Sequence, residues 1–190
     1  MPDCPELYLF GAGHVGRALA PVLAPLPLRL YWVDSREQEF PAEIPHGVVA
    51  LRPENPVDSI PDASPHSYYV IMTHQHPLDY ALLEAVLRRG DAAYVGVIGS
   101  QSKWRRFRMR LEHRGYEDAL IDSVHCPIGL TTVPGKRPAE IAVSVAAELV
   151  AHYHARGNGT AANAGPGWKN LQRTLAKSGV LADITLPEQT

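Results

Sequence analysis

LYLFGAGHVGRALA, residues 7–20, joins a short apolar run to an amphipathic segment through three closely spaced glycines. We predict a strand over residues 7–10 and a helix over residues 14–23, separated by a G-x-G-x-x-G turn. In such a turn the first glycine allows a tight bend, the second lets a ligand approach the backbone, and the third lets the helix pack on the strand. The free N–H groups at the helix N-terminus attract phosphate oxygens. The residues predicted to bind a ligand here are Gly11, Gly13, His14, Val15 and Gly16.

The next predicted strand, residues 28–33, ends at an acidic residue. Asp34 lies 18 residues after Gly16, close to the spacing at which an acid holds a ribose 2′-hydroxyl in dinucleotide-binding domains. We therefore predict that Asp34 contacts the ligand, and such a contact favours NAD over NADP. Arg36 nearby leaves the binding of a 2′-phosphate open.

Further strands and helices alternate along the chain. Apolar runs predict strands at 48–51, 68–73, 92–98 and 123–126, and helical spacing predicts helices at 79–89, 103–114 and 138–154. This alternation is the signature of an α/β fold, here a doubly wound parallel sheet of Rossmann type in three α/β/α layers. Pro21 is expected to kink the first helix or to end it early.

The composition changes after the last of these helices. We predict a Rossmann-like domain over residues 1–155, and over residues 156–190 a linker with a C-terminal helical extension. The segment ARGNGTAANAGPG has the composition of a flexible linker. A final helix is predicted over residues 168–181.

Composition also excludes several classes of protein. Hydrophobic residues make up 45% of the chain, charged residues make up 20%, and the formal net charge is -2. These values are typical of a soluble globular protein and unlike a general nucleic-acid binder. No apolar run reaches 18 residues, no secretory signal is visible, and two cysteines cannot form a disulfide framework. We therefore expect a cytoplasmic protein with neither a nucleic-acid nor a membrane partner.

A second polar cluster, MTHQHPLD, follows the predicted strand 68–73. In a doubly wound sheet this loop lies beside the glycine loop, so we predict that Thr73, His74 and His76 contact the ligand. Two histidines on extended chain point to the same side, which also suits a metal. The H-x-H-x-x-D spacing to Asp79 lacks the further histidine of metallo-hydrolase motifs, so no resident metal is predicted. Helix-capping or surface histidines are the alternative.

Two more loops are expected at the same edge of the sheet. They add Gly99, Ser100, Lys103 and Gly129 to the predicted ligand contacts. Ser102 is expected to cap the helix that follows the first of these loops. The arginines at positions 105, 106, 108 and 110 indicate a solvated helix face, or alternatively a surface that docks a partner. Cys126 is expected to be a buried apolar side chain rather than a reactive thiol.

Taken together, these segments resemble the XdhC/CoxI family of accessory proteins, which mature molybdenum hydroxylases such as xanthine dehydrogenase. The resemblance rests on FGAGHVGRALA, VDSRE, MTHQHPLD, YVGVIGSQSKWRRF, and CPIGL followed by RPAEIAVSVAAELV. The segments occur in family order between residues 6 and 153. Each is unspecific alone, whereas the set is highly specific.

The resemblance implies a chaperone role. Family members bind the molybdenum cofactor, which is molybdopterin or its dinucleotide form, and hand it to the apo-hydroxylase. Their association with sulfuration of the cofactor implies a cysteine desulfurase as a further partner. Only six residues precede the first predicted strand, so we expect a separate chain to supply the family's N-terminal domain. A homodimer is a further expectation.

Two enzyme classes stay open beside this hypothesis. An NAD(P)-dependent oxidoreductase would use the same glycine loop and Asp34, although one Rossmann domain leaves little room for a substrate domain. A metal-dependent hydrolase would use His74, His76 and Asp79. The sequence leaves open whether the protein is an enzyme, and it favours a non-catalytic cofactor-insertion factor.

Overall fold

The computed structural model describes residues 4–133 and 135–156 of the chain. The strands in these ranges are β1 (Glu6–Phe10), β2 (Arg29–Val33), β3 (Val49–Leu51), β4 (Tyr68–Ile71), β5 (Tyr94–Val97) and β6 (Val124–His125). The α-helices are α1 (His14–Leu23), α2 (His76–Arg89), α3 (Gln101–His113), α4 (Asp118–Asp122) and α5 (Pro138–Ala155). Short 3-10 turns at Glu37–Glu39 and Pro56–Ser59 lie between β2 and β4.

The strands form one parallel sheet with the order β3-β2-β1-β4-β5-β6. β1 pairs with β2 on one side and with β4 on the other, so that Phe10 lies opposite both Val33 and Ile71. The strand order therefore reverses between β1 and β4, which is where doubly wound sheets bind ligands. The predicted Rossmann-type α/β fold is confirmed.

Both faces of the sheet are covered by helices, as the three predicted layers require. Leu7 and Leu9 of β1 belong to a core shared with α1 and α5, whereas Tyr8 and Phe10 belong to a second core with α2, α3 and α4. The assignments alternate because successive residues of a strand point to opposite faces. Each fully buried leucine or phenylalanine contributes roughly 1.5–3 kcal/mol. The two cores together set the positions of the loops at the carboxyl edge of the sheet.

The helices depart from the sequence-based prediction at the start of α2, at Pro21 and at α4. α2 begins at His76 rather than Asp79, because Pro77 fits the first turn of a helix, where its missing N–H is not needed. α1 continues through Pro21 to Leu23, so the expectation that this proline ends the helix early is wrong. Pro21 is exposed in the last turn of α1, where its ring disturbs little of the packing between the helix and the sheet. α4 was not predicted, since five residues are too few for a periodic pattern.

The predicted C-terminal extension, residues 156–190, lies outside the described residues except for Arg156. The same holds for its predicted helix at 168–181. The division of the chain into a domain and an extension therefore stays a prediction. No helix in the described ranges is long and apolar enough to cross a membrane.

Gly16 sets how closely α1 packs on the sheet. A Cβ atom at this position would lie 2.1 Å from the carbonyl oxygen of Gly11. That oxygen is fixed in place, since it also accepts a hydrogen bond from Nε1 of the buried Trp32 at 3.0 Å. Gly13, three residues earlier, is different, because open space surrounds its Cβ position.

We expect Gly16→Ala to lower the free energy of unfolding by about 1–3 kcal/mol, because α1 must move away from the Gly11 carbonyl. Gly13→Ser is the matched control. Gly13 is the N-cap residue of α1, where serine is favoured, so this variant should keep or raise the stability. Urea unfolding followed by circular dichroism measures both free energies. Equal stabilities of the two variants would contradict the packing role of Gly16.

Candidate functional site

The candidate site is the crevice at the carboxyl ends of β1 and β4. The loops that follow these strands touch through their backbones, and the N–H of Met72 donates to the carbonyl of Phe10 at 2.9 Å. A Cβ atom on Gly11 would lie 2.3 Å from the carbonyl oxygen of Met72, and the φ of Gly11 is +116°. Glycine is therefore required at position 11 by the contact between the two loops.

The N-terminus of α1 lies at this crevice without a side-chain cap. Gly13 is the N-cap residue, none of the described side chains caps the helix, and its first turn holds no acidic residue. His14 is exposed and Val15 is half-buried. Unpaired N–H groups and the positive end of the helix dipole together suit an anion. The structure thus places Gly13, His14 and Val15 where a phosphate can be held, and the contact with a ligand stays a prediction.

Asp34, at the end of β2, directs both carboxylate oxygens toward this chain's own donors. It is 4% exposed. Oδ2 accepts from the N–H of Ala12 at 2.7 Å and from Nη2 of Arg36 at 2.9 Å. Oδ1 accepts from the N–H and Nε of Arg36 at 2.9 and 3.1 Å. A carboxylate offers about four lone-pair sites, and these four bonds fill them.

This geometry gives Asp34 a structural role that the sequence did not predict. Burial raises the pKa of its carboxyl, but the hydrogen bonds from Arg36 and Ala12 outweigh burial and hold the pKa below its usual value. The charged carboxylate fastens the glycine turn to the end of β2. A ribose hydroxyl would have to displace Arg36 to reach Asp34, so the predicted ribose contact requires a rearrangement.

Glu39 and Arg17, which sequence reasoning missed, extend this network from Arg36. Arg36 pairs with Glu39 at 3.3 Å, and Glu39 pairs with Arg17 of α1 at 3.3 Å. These pairs are partly exposed, so each contributes at most about 1 kcal/mol. Arg36 and Glu39 are three residues apart, which hints at a local pair. The link to Arg17 spans 22 residues and has no local signal.

A buried ion pair joins α2 and α3, the helices that follow β4 and β5. Asp79 is completely buried and Lys103 is 7% exposed. Oδ1 of Asp79 accepts from the N–H and the hydroxyl of Thr73 at 2.9 and 2.7 Å. Its Oδ2 pairs with Nζ of Lys103, which also donates to the carbonyl of Ile98 at 2.7 Å. Lys103 therefore points inward and links α3 to α2, and its predicted contact with a ligand stays a prediction.

Gly99 and Ser100 support this lysine. A Cβ atom on Gly99 would lie 2.6 Å from Cδ of Lys103, so glycine leaves room for the lysine side chain. Ser100 is the N-cap residue of α3 and accepts from the N–H of Lys103 at 3.2 Å. The prediction that Ser102 caps this helix is therefore wrong. Ser100 fits because the helix begins one residue after it, at Gln101.

His74 and His76 do not form a metal site with Asp79. Both histidines are exposed, but His76 is already the first residue of α2. The expectation that they share an extended segment is therefore wrong. In the described part of the chain, no group of three His, Cys, Asp or Glu residues is placed to hold a metal. The carboxylate of Asp79 is engaged by Thr73 and Lys103.

Gly129, the last of the predicted ligand contacts, packs against α5. Its φ is +103°, and a Cβ atom there would lie 2.7 Å from Oγ of Ser144. Its N–H donates to Glu148, which also pairs with His125.

Cys126 is half-buried, and burial raises the pKa of its thiol to about 11. The thiol is therefore protonated at neutral pH and lacks the thiolate character of a reactive cysteine.

Comparison of the chain with known proteins shows the family to which it is similar. The family model described as the XdhC Rossmann domain matches residues 7–149. The chain is 31% identical over 150 residues to YqeB of Escherichia coli, described as uncharacterized, and the match covers 77% of this chain and 27% of YqeB. It also resembles the crystal structure of a xanthine dehydrogenase from Bacillus halodurans, with a TM-score of 0.68 and 24% identity, over 83% of this chain and 45% of that chain. The chain thus spans less than half the length of both relatives.

The lowered pKa of Asp34 makes its contribution to stability depend on pH. Because the folded pKa lies below the unfolded value of about 3.9, the contribution is fully present above that value and is lost as the pH falls through the folded pKa. Asp34→Asn should therefore cost about 1–3 kcal/mol at pH 7, and less at pH 3. Urea unfolding at both pH values measures the difference.

Asp62→Asn is the control for this prediction. Asp62 is an exposed carboxylate to which the structure assigns no ion pair within the described residues, so the control should barely change the unfolding free energy at either pH. A loss in Asp34→Asn that does not shrink toward pH 3 would show that the charge of Asp34 is not what stabilises the turn.

We expect Lys103→Met to lower the free energy of unfolding by about 3–5 kcal/mol, because it leaves the charge of Asp79 buried and unpaired. Combining it with Asp79→Asn removes both charges and should recover part of the loss. Lys136→Met, at an exposed lysine, is the control and should be nearly neutral. Chemical unfolding of Lys103→Met, of Asp79→Asn alone and of the double variant, each compared with the wild-type chain, gives the coupling energy. Strictly additive losses in the double variant would rule out direct pairing.

Proposed function

The chain belongs to the XdhC Rossmann-domain family, and on that premise we propose that it is a non-catalytic accessory protein for a molybdenum hydroxylase. It binds the molybdenum cofactor, as molybdopterin or its dinucleotide, and passes it to the apo-enzyme. The observation that carries this proposal is the uncapped N-terminus of α1 at Gly13, beside the crevice. An uncapped helix N-terminus binds phosphate, and either form of the cofactor carries phosphate.

The residues of the crevice fit the phosphate end of such a cofactor. The first N–H groups of α1 are not engaged by any described side chain, and no acidic residue in the first turn repels an anion. Gly13 leaves open space where the oxygens approach. The cofactor itself supplies the redox chemistry of the client enzyme. This chain holds the phosphate and so orients the rest of the molecule relative to the crevice.

An NAD(P)-dependent oxidoreductase fits the same crevice less well. Such enzymes hold the adenosine ribose on an acid at the end of the second strand, and here Arg36 and Ala12 fill that acid's hydrogen-bonding sites. The other buried carboxylate at the crevice, Asp79, is paired with Lys103. Neither carboxylate is free to move a proton, which a catalytic base must do. These observations favour a protein that holds a ligand rather than an enzyme that converts one.

Transfer of the cofactor requires an acceptor protein. We propose apo-xanthine dehydrogenase or a related molybdenum hydroxylase as that acceptor. A cysteine desulfurase is a further proposed partner. These partners rest on family membership.

We expect Gly13→Asp to weaken cofactor binding by at least about tenfold, or 1.4 kcal/mol. Gly13 has a φ of -69° and is the N-cap residue of α1, so an aspartate fits this backbone and caps the helix. The variant stays folded while its carboxylate lies where the phosphate binds. Fluorescence titration measures the affinity for the cofactor. Activity regained by an apo-molybdenum hydroxylase measures the transfer, which should fall in parallel.

Ala119→Asp is the control for this experiment. It adds the same charge in the first turn of α4, at an exposed position that precedes β6, and it should leave binding and transfer unchanged. Unchanged cofactor affinity in Gly13→Asp would place the ligand elsewhere. Tight NAD(H) binding together with oxidation of small alcohols or acids by the wild-type chain would support the oxidoreductase instead.

A further inference from the structure

A cavity of about 440 Å³ lies between the first turn of α2 and one face of α3. It opens on the face of the sheet that carries α2 and α3, whereas α1 and its glycine turn pack on the opposite face. Its polar lining consists of His76, Ser100, Ser102, Lys103, Arg106 and Arg110. None of the described residues that line it is acidic. The cavity is therefore basic, although the chain as a whole has a formal net charge of -2.

Two guanidinium groups in this cavity lack a counter-ion. Among the described residues, no carboxylate lies within ion-pair distance of Arg106 or Arg110. On the same helix, by contrast, Arg108 pairs with Glu112 at 2.7 Å and with Asp118 at 3.5 Å. The acidic residues beside α3 thus pair with Arg108 and leave Arg106 and Arg110 without a counter-charge.

The unpaired groups are held in a fixed arrangement. Ser102, Arg106 and Arg110 are spaced four residues apart, so they lie on one side of α3. The guanidinium of Arg110 stacks 3.7 Å from the ring centre of Tyr80, which is itself buried. Beneath them, Lys103 is tied to Asp79 and to the Ile98 carbonyl. A surface arginine normally loses considerable side-chain entropy when it binds a ligand, and stacking on Tyr80 removes part of that cost in advance.

We propose that this cavity is a second anion site, separate from the glycine loop, that binds a diphosphate group. Paired guanidiniums bind phosphate oxygens through two parallel N–H bonds each, and the serine hydroxyls at positions 100 and 102 are further donors. The volume exceeds what one inorganic ion needs and lies within the range of small-molecule sites. The ligand is therefore free diphosphate or a small molecule that carries one.

The test uses the full-length chain with Gly13→Asp as the background, so that the glycine loop does not contribute. Inorganic diphosphate is titrated into this protein by isothermal calorimetry. We expect saturable binding of one equivalent, weakened about tenfold to a hundredfold by Arg106→Ala or Arg110→Ala. Arg105→Ala is the matched control. It removes an exposed arginine from the same helix that does not line the cavity, and it should leave the affinity unchanged.

Three outcomes would overturn the proposal. They are the absence of diphosphate binding in the Gly13→Asp background, an equal loss in Arg105→Ala, and unchanged affinity in both cavity variants. The Arg106→Ala variant keeps the stacked Arg110, so a folding defect in one variant does not decide the result. ADP is titrated in parallel to distinguish the sources of the diphosphate. Tighter binding of ADP assigns the site to a nucleoside diphosphate, and equal binding assigns it to the diphosphate group alone.

Discussion

The turn at Gly11 is the constraint on which the rest of the structure depends. Its N–H donates to the carbonyl of Val33 at 2.8 Å, and its carbonyl accepts from Trp32 while lying against Gly16. On its other side the turn touches the backbone of Met72. One residue without a side chain thus joins β1, β2, β4 and α1. Because the backbones meet this closely, the N-terminus of α1 lies at the point where the strand order reverses.

Two buried carboxylates hold the surrounding loops to this turn. Asp34 binds the Ala12 N–H and the Arg36 guanidinium, and Asp79 binds Thr73 and Lys103. A buried charge is costly unless it is paired and hydrogen-bonded, and both acids meet that condition. The same pairing occupies their hydrogen-bonding sites, so that a ligand must displace Arg36 to reach Asp34. Acidic residues that flank the crevice in the sequence therefore stabilise its walls.

The groups that remain for a ligand are mainly donors. At the crevice they are the backbone N–H groups that follow Gly13, and between α2 and α3 they are the guanidiniums of Arg106 and Arg110. Donors of this kind hold phosphates without moving protons, since a guanidinium is not deprotonated in proteins. This distribution agrees with the proposal that this member of the XdhC family binds a phosphorylated cofactor and hands it on. It gives little support to an enzyme that depends on a carboxylate base.

The sequence by itself determined the fold, the strand-turn-helix at the glycine loop and the family, because periodicity and glycine spacing are properties of neighbouring residues. It did not determine what the charged residues do. Asp34 and Lys103 were both predicted to contact a ligand, and the structure also bonds each to a distant group: Asp34 accepts from the Ala12 N–H, 22 residues away, besides pairing with neighbouring Arg36, and Lys103 pairs with Asp79, 24 residues away. Lys103 and Arg106 look alike within one basic helix, yet packing of α3 beside α2 buries the first and leaves the second over a cavity. The role of a charge depends on which counter-charge the tertiary structure brings to it, and the order of strands and helices that decides this is not encoded in any local pattern.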